Sequence, residues 1–210
     1  RTPAARAAQE SGEVGESDFG RPGQITTGGT IGFGGFSAYT NGGSGAGPVF
    51  NLSSRSEPGG ASVSSLTLGL EGQIGYLVAR SLEVGVGLLA GQSSRTDTPA
   101  AMGTPTTEST IGFAILPYGR YHIELKRNVF LYVGGAIGYE TLQTTITGGG
   151  SQSESGLRLG ILGGIELATG HLVLALGPEI VYWLASTTDT GTSATPAFNI
   201  SLTGRIGAYF

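Results

Sequence analysis

The sequence predicts an all-β fold, an eight-stranded antiparallel up-and-down β-barrel that spans a membrane and has short turns at one end and long loops at the other. Three observations predict it. Apolar and polar residues alternate in segment after segment, the connections alternate between short and long, and the apolar rows carry no charged residue. Alternation with a period of two indicates β-strands, because successive side chains of a strand point to opposite faces.

Length and composition fit one folded domain and exclude several classes of protein. A chain of 210 residues ordinarily forms one domain, and 39% hydrophobic residues argue against disorder along its whole length. Because the chain has no cysteine, it has neither a disulfide framework nor a thiolate metal site. Its net charge of −4 and its lack of a basic run give no reason to expect nucleic acid. We expect no cofactor and no metal.

Residues 1–23 are small and charged and show no period, so they are predicted to form a flexible leader or periplasmic tail. The barrel is predicted to occupy residues 24–210. A second interpretation of residues 1–23 is a tether that docks on a partner or tucks into the barrel mouth. The sequence starts with Arg1 rather than Met, and we therefore expect a signal peptide to have been removed.

Eight alternating segments follow residue 24. In the first, residues 25–39, Phe33 and Phe36 would point to opposite faces of a regular strand. A bulge at Gly34 and Gly35 would bring both onto one face. The apolar rows of the next six begin at Leu66, Leu82, Ile111, Val129, Leu157 and Leu172. The last, residues 198–210, is long enough to cross a hydrocarbon layer of about 25 Å when tilted. Its neighbours should be the first and the seventh strand. Eight is an even number, as expected for a bacterial single-chain barrel.

The connections alternate in length along the chain. The short ones are residues 79–81, 125–128 and 168–171. The long, polar ones are residues 40–65, 93–109, 141–155 and 185–197. This asymmetry matches the periplasmic and extracellular ends of an outer-membrane barrel, and it places both chain ends on the periplasmic side.

Charged residues of the second to eighth strands all fall on the face opposite the apolar row, and so are predicted to face the lumen. A charge facing lipid at the midplane costs about 2–4 kcal/mol, whereas buried charges persist when they are paired. The sequence therefore predicts an ion-pair network that plugs the lumen. Its predicted members are Glu71, Arg120, Glu140, Arg158, Glu179 and Arg205. We expect Arg205 to pair with Glu179 or Glu71. The inward set further includes Glu83, Glu124 and Glu166.

Aromatic residues mark both ends of the aliphatic band, as two membrane interfaces require. The girdle near the short turns is predicted to contain Tyr76, Tyr121 and Phe210. The girdle near the long loops is predicted to contain Tyr139, Tyr182 and Phe198.

Residues 111–125, IGFAILPYGRYHIEL, contain the pattern Pro-aromatic-x-Arg-Tyr at Pro117, Tyr118, Arg120 and Tyr121. This stretch resembles the small eight-stranded outer-membrane β-barrel family, the OmpA/OmpX-like group. The final strand, which ends on Phe210, looks like the C-terminal signal that the barrel assembly machinery recognises. The resemblance implies a bacterial outer-membrane location, with outer-membrane lipid, lipopolysaccharide and the assembly machinery as partners.

Two prolines interrupt the predicted strands, Pro117 in the fourth and Pro178 in the seventh. Proline donates no ladder hydrogen bond, and a closed barrel has no free edge. We therefore expect a local bulge or a lost hydrogen bond at each.

The function favoured by the sequence is non-enzymatic: a structural or interaction barrel acting through its long loops or residues 1–23. The alternatives are a small transport pore, a lipid-modifying barrel, and a soluble ligand-binding β-barrel. The only histidines, His122 and His171, lie near the short turns, away from outer-leaflet chemistry, and their separation makes a poor zinc site. Glycine runs lie inside strands without a following helix, so they lack the context of a phosphate-binding loop.

Overall fold

The structure is a computed structural model, which describes residues 18–38, 49–56, 62–99, 103–188, 193–194 and 197–210. Its strands are β1 (Ile25–Ala38), β2 (Val49–Ser56), β3 (Ser62–Ala79), β4 (Leu82–Thr98), β5 (Thr106–Lys126), β6 (Val129–Ile146), β7 (Ser151–Thr169), β8 (Leu172–Thr188), β9 (Ser193–Ala194) and β10 (Ala197–Tyr209). In these ranges no helix is long and apolar enough to cross a membrane.

Eight of these strands close into an antiparallel barrel in the order β1-β3-β4-β5-β6-β7-β8-β10. The last strand closes the ring, because β10 pairs with β8 on one side and with β1 on the other. The predicted fold class and the predicted neighbours of the terminal strand are both confirmed. At one end, consecutive strands are joined by tight turns at residues 80–81, 127–128 and 170–171. We call this the short-turn end; the opposite one is the long-loop end.

Toward the long-loop end the strands continue through much of the polar sequence that was expected to form loops. The connections predicted at 93–109 and 141–155 narrow to residues 99–105 and 147–150. Cross-strand hydroxyl pairs support these extensions, with Oγ1 atoms 3.1 Å apart between Thr96 and Thr107 and 2.9 Å apart between Thr110 and Thr144. Threonine favours strands, but a row of Ser and Thr lacks the apolar period on which the sequence-based prediction depended.

A further strand, β2, lies within the connection predicted at residues 40–65. The β1–β3 ladder ends at the pair Thr30 and Glu71, and above it β2 pairs antiparallel with β3 from Phe50 to Ser56. On its other side β2 pairs with β1 in parallel at Val49 and Phe50. The wall between β1 and β3 therefore gains a strand at the long-loop end.

The irregularities of the ladders follow from particular residues. The β1–β10 register shifts between Phe33 and Gly35, which confirms the predicted bulge. Beside Pro117, the β5–β6 ladder has no pair between Ile115 and Tyr118 yet keeps one register. The β7–β8 ladder is likewise interrupted beside Pro178. Of the two outcomes expected at the prolines, the structure shows lost ladder pairs rather than bulges.

Large apolar side chains cover the outside of the barrel wall, and charged side chains occupy much of its interior. On the outer wall Phe113, Ile161 and Ile206 are 62%, 62% and 64% exposed, whereas Glu83 and Glu166 inside are fully buried. A soluble sandwich shows the opposite arrangement. The charged side chains that could form a functional site therefore lie in the lumen.

Candidate functional site: the charged lumen

A residue that precedes β1 lies inside the lumen at the short-turn end. Phe19 is 7% exposed and lies inside the mouth, where its ring meets those of His122, Phe130 and Tyr209 edge-on at centroid distances of 5.0, 5.3 and 5.2 Å. Together these apolar side chains form a cluster that we call the floor: Phe19, Leu77, Phe130, Ala168, Val173 and Tyr209.

Backbone hydrogen bonds hold this segment in place. The Gly23 N–H donates to the Leu77 carbonyl at 2.8 Å, and the Ser81 N–H donates to the Gly20 carbonyl at 3.1 Å. The Gln24 side chain ties the turn together, because its Oε1 accepts from the backbone N–H of Gly20 at 3.0 Å. Of residues 18–23, Phe19 and Gly20 are buried and the other four are exposed, so the structure places one side chain, that of Phe19, inside the mouth. Residues 1–17 lie outside the described part of the chain.

Directly above the floor lies a group that we call the lower cluster: Glu83, Arg120, His122, Glu166 and Arg205. Glu83 is at its centre. Its Oε1 accepts hydrogen bonds from Thr26 Oγ1 at 2.5 Å and from Tyr118 OH at 2.8 Å. Three basic side chains face its other oxygen, Oε2: the His122 ring at 3.0 Å, Arg120 Nη1 at 3.7 Å and Arg205 Nη1 at 3.9 Å.

His122 bridges two carboxylates. Its Nε2 lies 3.0 Å from Glu83 Oε2 and its Nδ1 lies 3.2 Å from Glu166 Oε1. Ionised carboxylates only accept hydrogen bonds, so an imidazolium with a proton on each nitrogen satisfies this arrangement. Glu166 is further paired with Arg205. The lower cluster then holds three cations and two carboxylates.

A second group, the upper cluster, lies nearer the long-loop end and comprises Glu140, Arg158 and Glu179. Arg158 on β7 reaches both neighbouring strands, with Nη1 3.5 Å from Glu140 Oε2 and Nη2 3.5 Å from Glu179 Oε1. All three side chains are buried. One guanidinium thus lies between two carboxyl groups, which carry more negative than positive charge when both are ionised.

Gln73 connects Glu71 to the lower cluster. Its Nε2 donates to Glu71 Oε1 at 2.6 Å and to Thr30 Oγ1 at 3.1 Å, while its Oε1 accepts from Arg120 Nη2 at 2.5 Å. The sequence-based prediction of the network did not include Gln73, because an uncharged amide carries no signal of ion pairing.

All six predicted network residues lie on the inner side of the wall, and the structure brings most of them together. Arg205 pairs with Glu166 and Glu83, however, and not with Glu179 or Glu71 as expected. The reason is the height of Arg205 along the barrel axis, which is the same as that of Glu166. Arg205 on β10 and Glu166 on β7 both pair with Ala175 of the intervening strand, whose small side chain lets them meet across it.

Three other residues were predicted to face the lumen: Glu83, Glu124 and Glu166. Glu83 and Glu166 do face the lumen and are central to the lower cluster. Glu124 is exposed at the rim, beside the irregularity between Glu124 and Lys126 at the end of the β5–β6 ladder. In the described residues no group of three or more His, Asp or Glu side chains is arranged to hold a metal ion.

The aromatic residues predicted to form girdles lie on the outer wall, where Tyr76, Tyr121, Tyr139, Tyr182 and Phe210 are all exposed. The side chain of Phe198 lies outside the described part of the structure. Phe210 is anchored to the wall, since its backbone N–H and carbonyl each bond to Ile25 at 3.0 Å.

No family model matches this chain, and no curated protein matches it. Among solved structures, the chain is similar to Neisserial surface protein A, with 14% identity, 89% of this chain and 96% of that chain covered, and a TM-score of 0.47. It is also similar to the translocator domain of the autotransporter NalP from Neisseria meningitidis, with 12% identity, coverage of 99% and 94%, and a TM-score of 0.43. The beta domain of the Bordetella autotransporter Brka gives 14% identity, coverage of 90% and 98%, and a TM-score of 0.37. The OmpA/OmpX-like resemblance stays a prediction.

Proposed function

We propose that this chain is a non-enzymatic β-barrel of the bacterial outer membrane with a plugged polar lumen. It has a structural or interaction role, exercised through its long-loop end or its N-terminal segment. The observation that carries the proposal is the inverted arrangement of the wall, with apolar residues outside and charges inside.

The outer wall supports a membrane location because exposing so much apolar surface to water would be unfavourable. Soluble monomers rarely expose contiguous apolar patches larger than a few hundred Å². Here one strand alone presents Ile111, Phe113 and Ile115, each about half exposed or more. The same pattern recurs on neighbouring strands, for example at Ile137 and Ile161. A hydrocarbon layer covers such a wall at no cost, and charged side chains on it would be penalised.

The filling of the lumen supports a plug. The interior of an eight-stranded barrel is just wide enough for side chains to fill. Here the floor, the lower cluster and the upper cluster succeed one another along the axis, and the cavity between the two clusters measures about 30 Å³. A water molecule fits in that volume, but a hydrated ion does not.

The partners that suit this proposal are membrane lipid, including lipopolysaccharide of the outer leaflet, and the assembly machinery during insertion. We infer that Phe210, which is exposed at the short-turn end, takes part in recognition during assembly. A protein partner would bind at the long-loop end or through residues 1–23.

Two measurements test the proposal. The purified chain should require detergent or lipid to stay monodisperse, and should migrate as a heat-modifiable band. Single-channel recordings in planar bilayers should be silent for the wild-type protein. A chain that stays monodisperse in plain buffer would refute the membrane location, and steady conductance would refute the plug.

A further inference from the structure

A small cavity separates the two charged clusters inside the barrel. It measures about 30 Å³. Arg120 and Arg205 line it from the lower cluster, Arg158 and Glu179 from the upper cluster, and Glu71 from the side. Five charged side chains, drawn from both clusters and from Glu71, thus border the same space.

Two arginines that line the cavity have guanidinium donors with no hydrogen-bond partner among the described residues. These donors are Arg120 Nε and Nη1 and Arg205 Nε. The two side chains are only 2% and 10% exposed, so bulk water does not reach these groups. Leaving a buried charged donor unsatisfied is costly, and such groups in native proteins are usually paired with protein atoms or ordered water.

The mixed charge of the lining decides what kind of ligand fits. A cation would meet the guanidinium groups of three arginines, and an anion would meet the carboxylates of Glu71 and Glu179. Water donates and accepts hydrogen bonds and carries no charge. The volume suits one water molecule with two to four polar partners.

We propose that the cavity is a water-binding site, in which an ordered water accepts from the Arg120 and Arg205 guanidinium groups and donates to Glu71 and Glu179. This water joins the lower and upper clusters into one hydrogen-bonded network along the lumen. The inference goes beyond the proposed membrane role, because it concerns the lumen alone and does not depend on which partner the barrel serves.

Gly160 offers a test by substitution. A Cβ added there would meet the Ala136 Cβ at 3.7 Å and Glu179 Oε1 at 3.9 Å, which are ordinary contacts, so Gly160→Ala fits the backbone and takes up cavity volume. Gly72→Ala is the control, since its Cβ would face open space on the outer wall. Filling a dry cavity stabilises a protein, whereas displacing a bound water leaves its polar partners unsatisfied.

We expect Gly160→Ala to have an unfolding equilibrium constant about tenfold larger than that of Gly72→Ala, measured by urea titration in lipid vesicles. Gly160→Ser should recover most of the loss, because its hydroxyl can replace the water. If Gly160→Ala is as stable as the control or more stable, the site is dry and the proposal is overturned.

A second measurement uses the wild-type barrel and so does not depend on how a variant folds. Water-selective NMR should show cross-peaks between a long-lived water and the Nε–H protons of Arg120 and Arg205. Their absence, with both protons observed, would also overturn the proposal. Neither result bears on conductance, so the failure of this inference is distinguishable from failure of the proposed function.

Discussion

Glu83 is the residue whose replacement tests the lower cluster most sharply, and Glu83→Gln changes its charge with little change in shape. The Gln carbonyl could still accept from Thr26 and Tyr118. Its amide group, however, would place donor hydrogens against the ring nitrogen of His122, which lies 3.0 Å from Glu83 Oε2. The cations of the cluster would be left with Glu166 as their sole carboxylate.

Removing one partner from a buried ion pair typically costs about 3–5 kcal/mol, because the other charge stays buried and uncompensated. Since Glu83 is fully buried and faces three cationic side chains, we expect Glu83→Gln to lower the free energy of unfolding by about that amount. The assay is urea unfolding in lipid vesicles followed by the fluorescence of Trp183, the one tryptophan of the chain. Glu124→Gln is the matched control; its side chain is exposed, and its effect should stay within about 0.5 kcal/mol.

A double-mutant cycle separates loss of charge pairing from a general packing defect. Arg120 Nη1 lies 3.7 Å from Glu83 Oε2, so Glu83→Gln combined with Arg120→Gln removes both members of a pair. We expect the double variant to lose less stability than the sum of the two single variants, by about 1 kcal/mol or more. A loss under about 1 kcal/mol for Glu83→Gln, with strict additivity in the cycle, would refute the reasoning.

Three further outcomes follow from the structure, each measured as the free energy of unfolding in vesicles. Phe19→Ala empties the floor and should cost about 3 kcal/mol, whereas Arg21→Ala, in the exposed part of the same segment, should cost little; equal effects would contradict the role of the floor. Gly75→Ala should destabilise by about 1–3 kcal/mol relative to Gly72→Ala, because its Cβ would collide with Glu83, and a neutral result would contradict the tight fit. Ile161→Lys puts a charge on the outer wall and should cost about 2–4 kcal/mol, and an undiminished stability would place that wall outside the hydrocarbon.

Much of the barrel could be predicted from the sequence because two-residue alternation decides which face each side chain occupies. That rule placed Arg158 and Glu179 inside and Ile161 outside, and it located the bulge of β1 from the conflict between Phe33 and Phe36. These results depend only on the order of residues along single strands.

Alternation within a strand does not determine which residues of different strands lie at the same height along the barrel axis. The partner of Arg205 was therefore mispredicted, since it depends on the register of three strands and on the small size of Ala175 between them. The strand β2 was missed because its Ser-rich sequence carries a weak apolar period. The burial of Phe19 was not predicted, since one aromatic residue in a polar segment shows no pattern; only an alternative interpretation had residues 1–23 tuck into the barrel mouth.

Site-directed spin labelling tests the central claim most directly, that the outer wall contacts lipid. Because the chain contains no cysteine, Ile161→Cys and Ile115→Cys on the wall and Thr147→Cys in an exposed turn each provide one labelling site. In vesicles we predict that oxygen, which concentrates in hydrocarbon, reaches the two wall labels far better than a water-soluble nickel reagent, and that the turn label shows the reverse. Wall labels as accessible to the nickel reagent as the turn label would contradict the account.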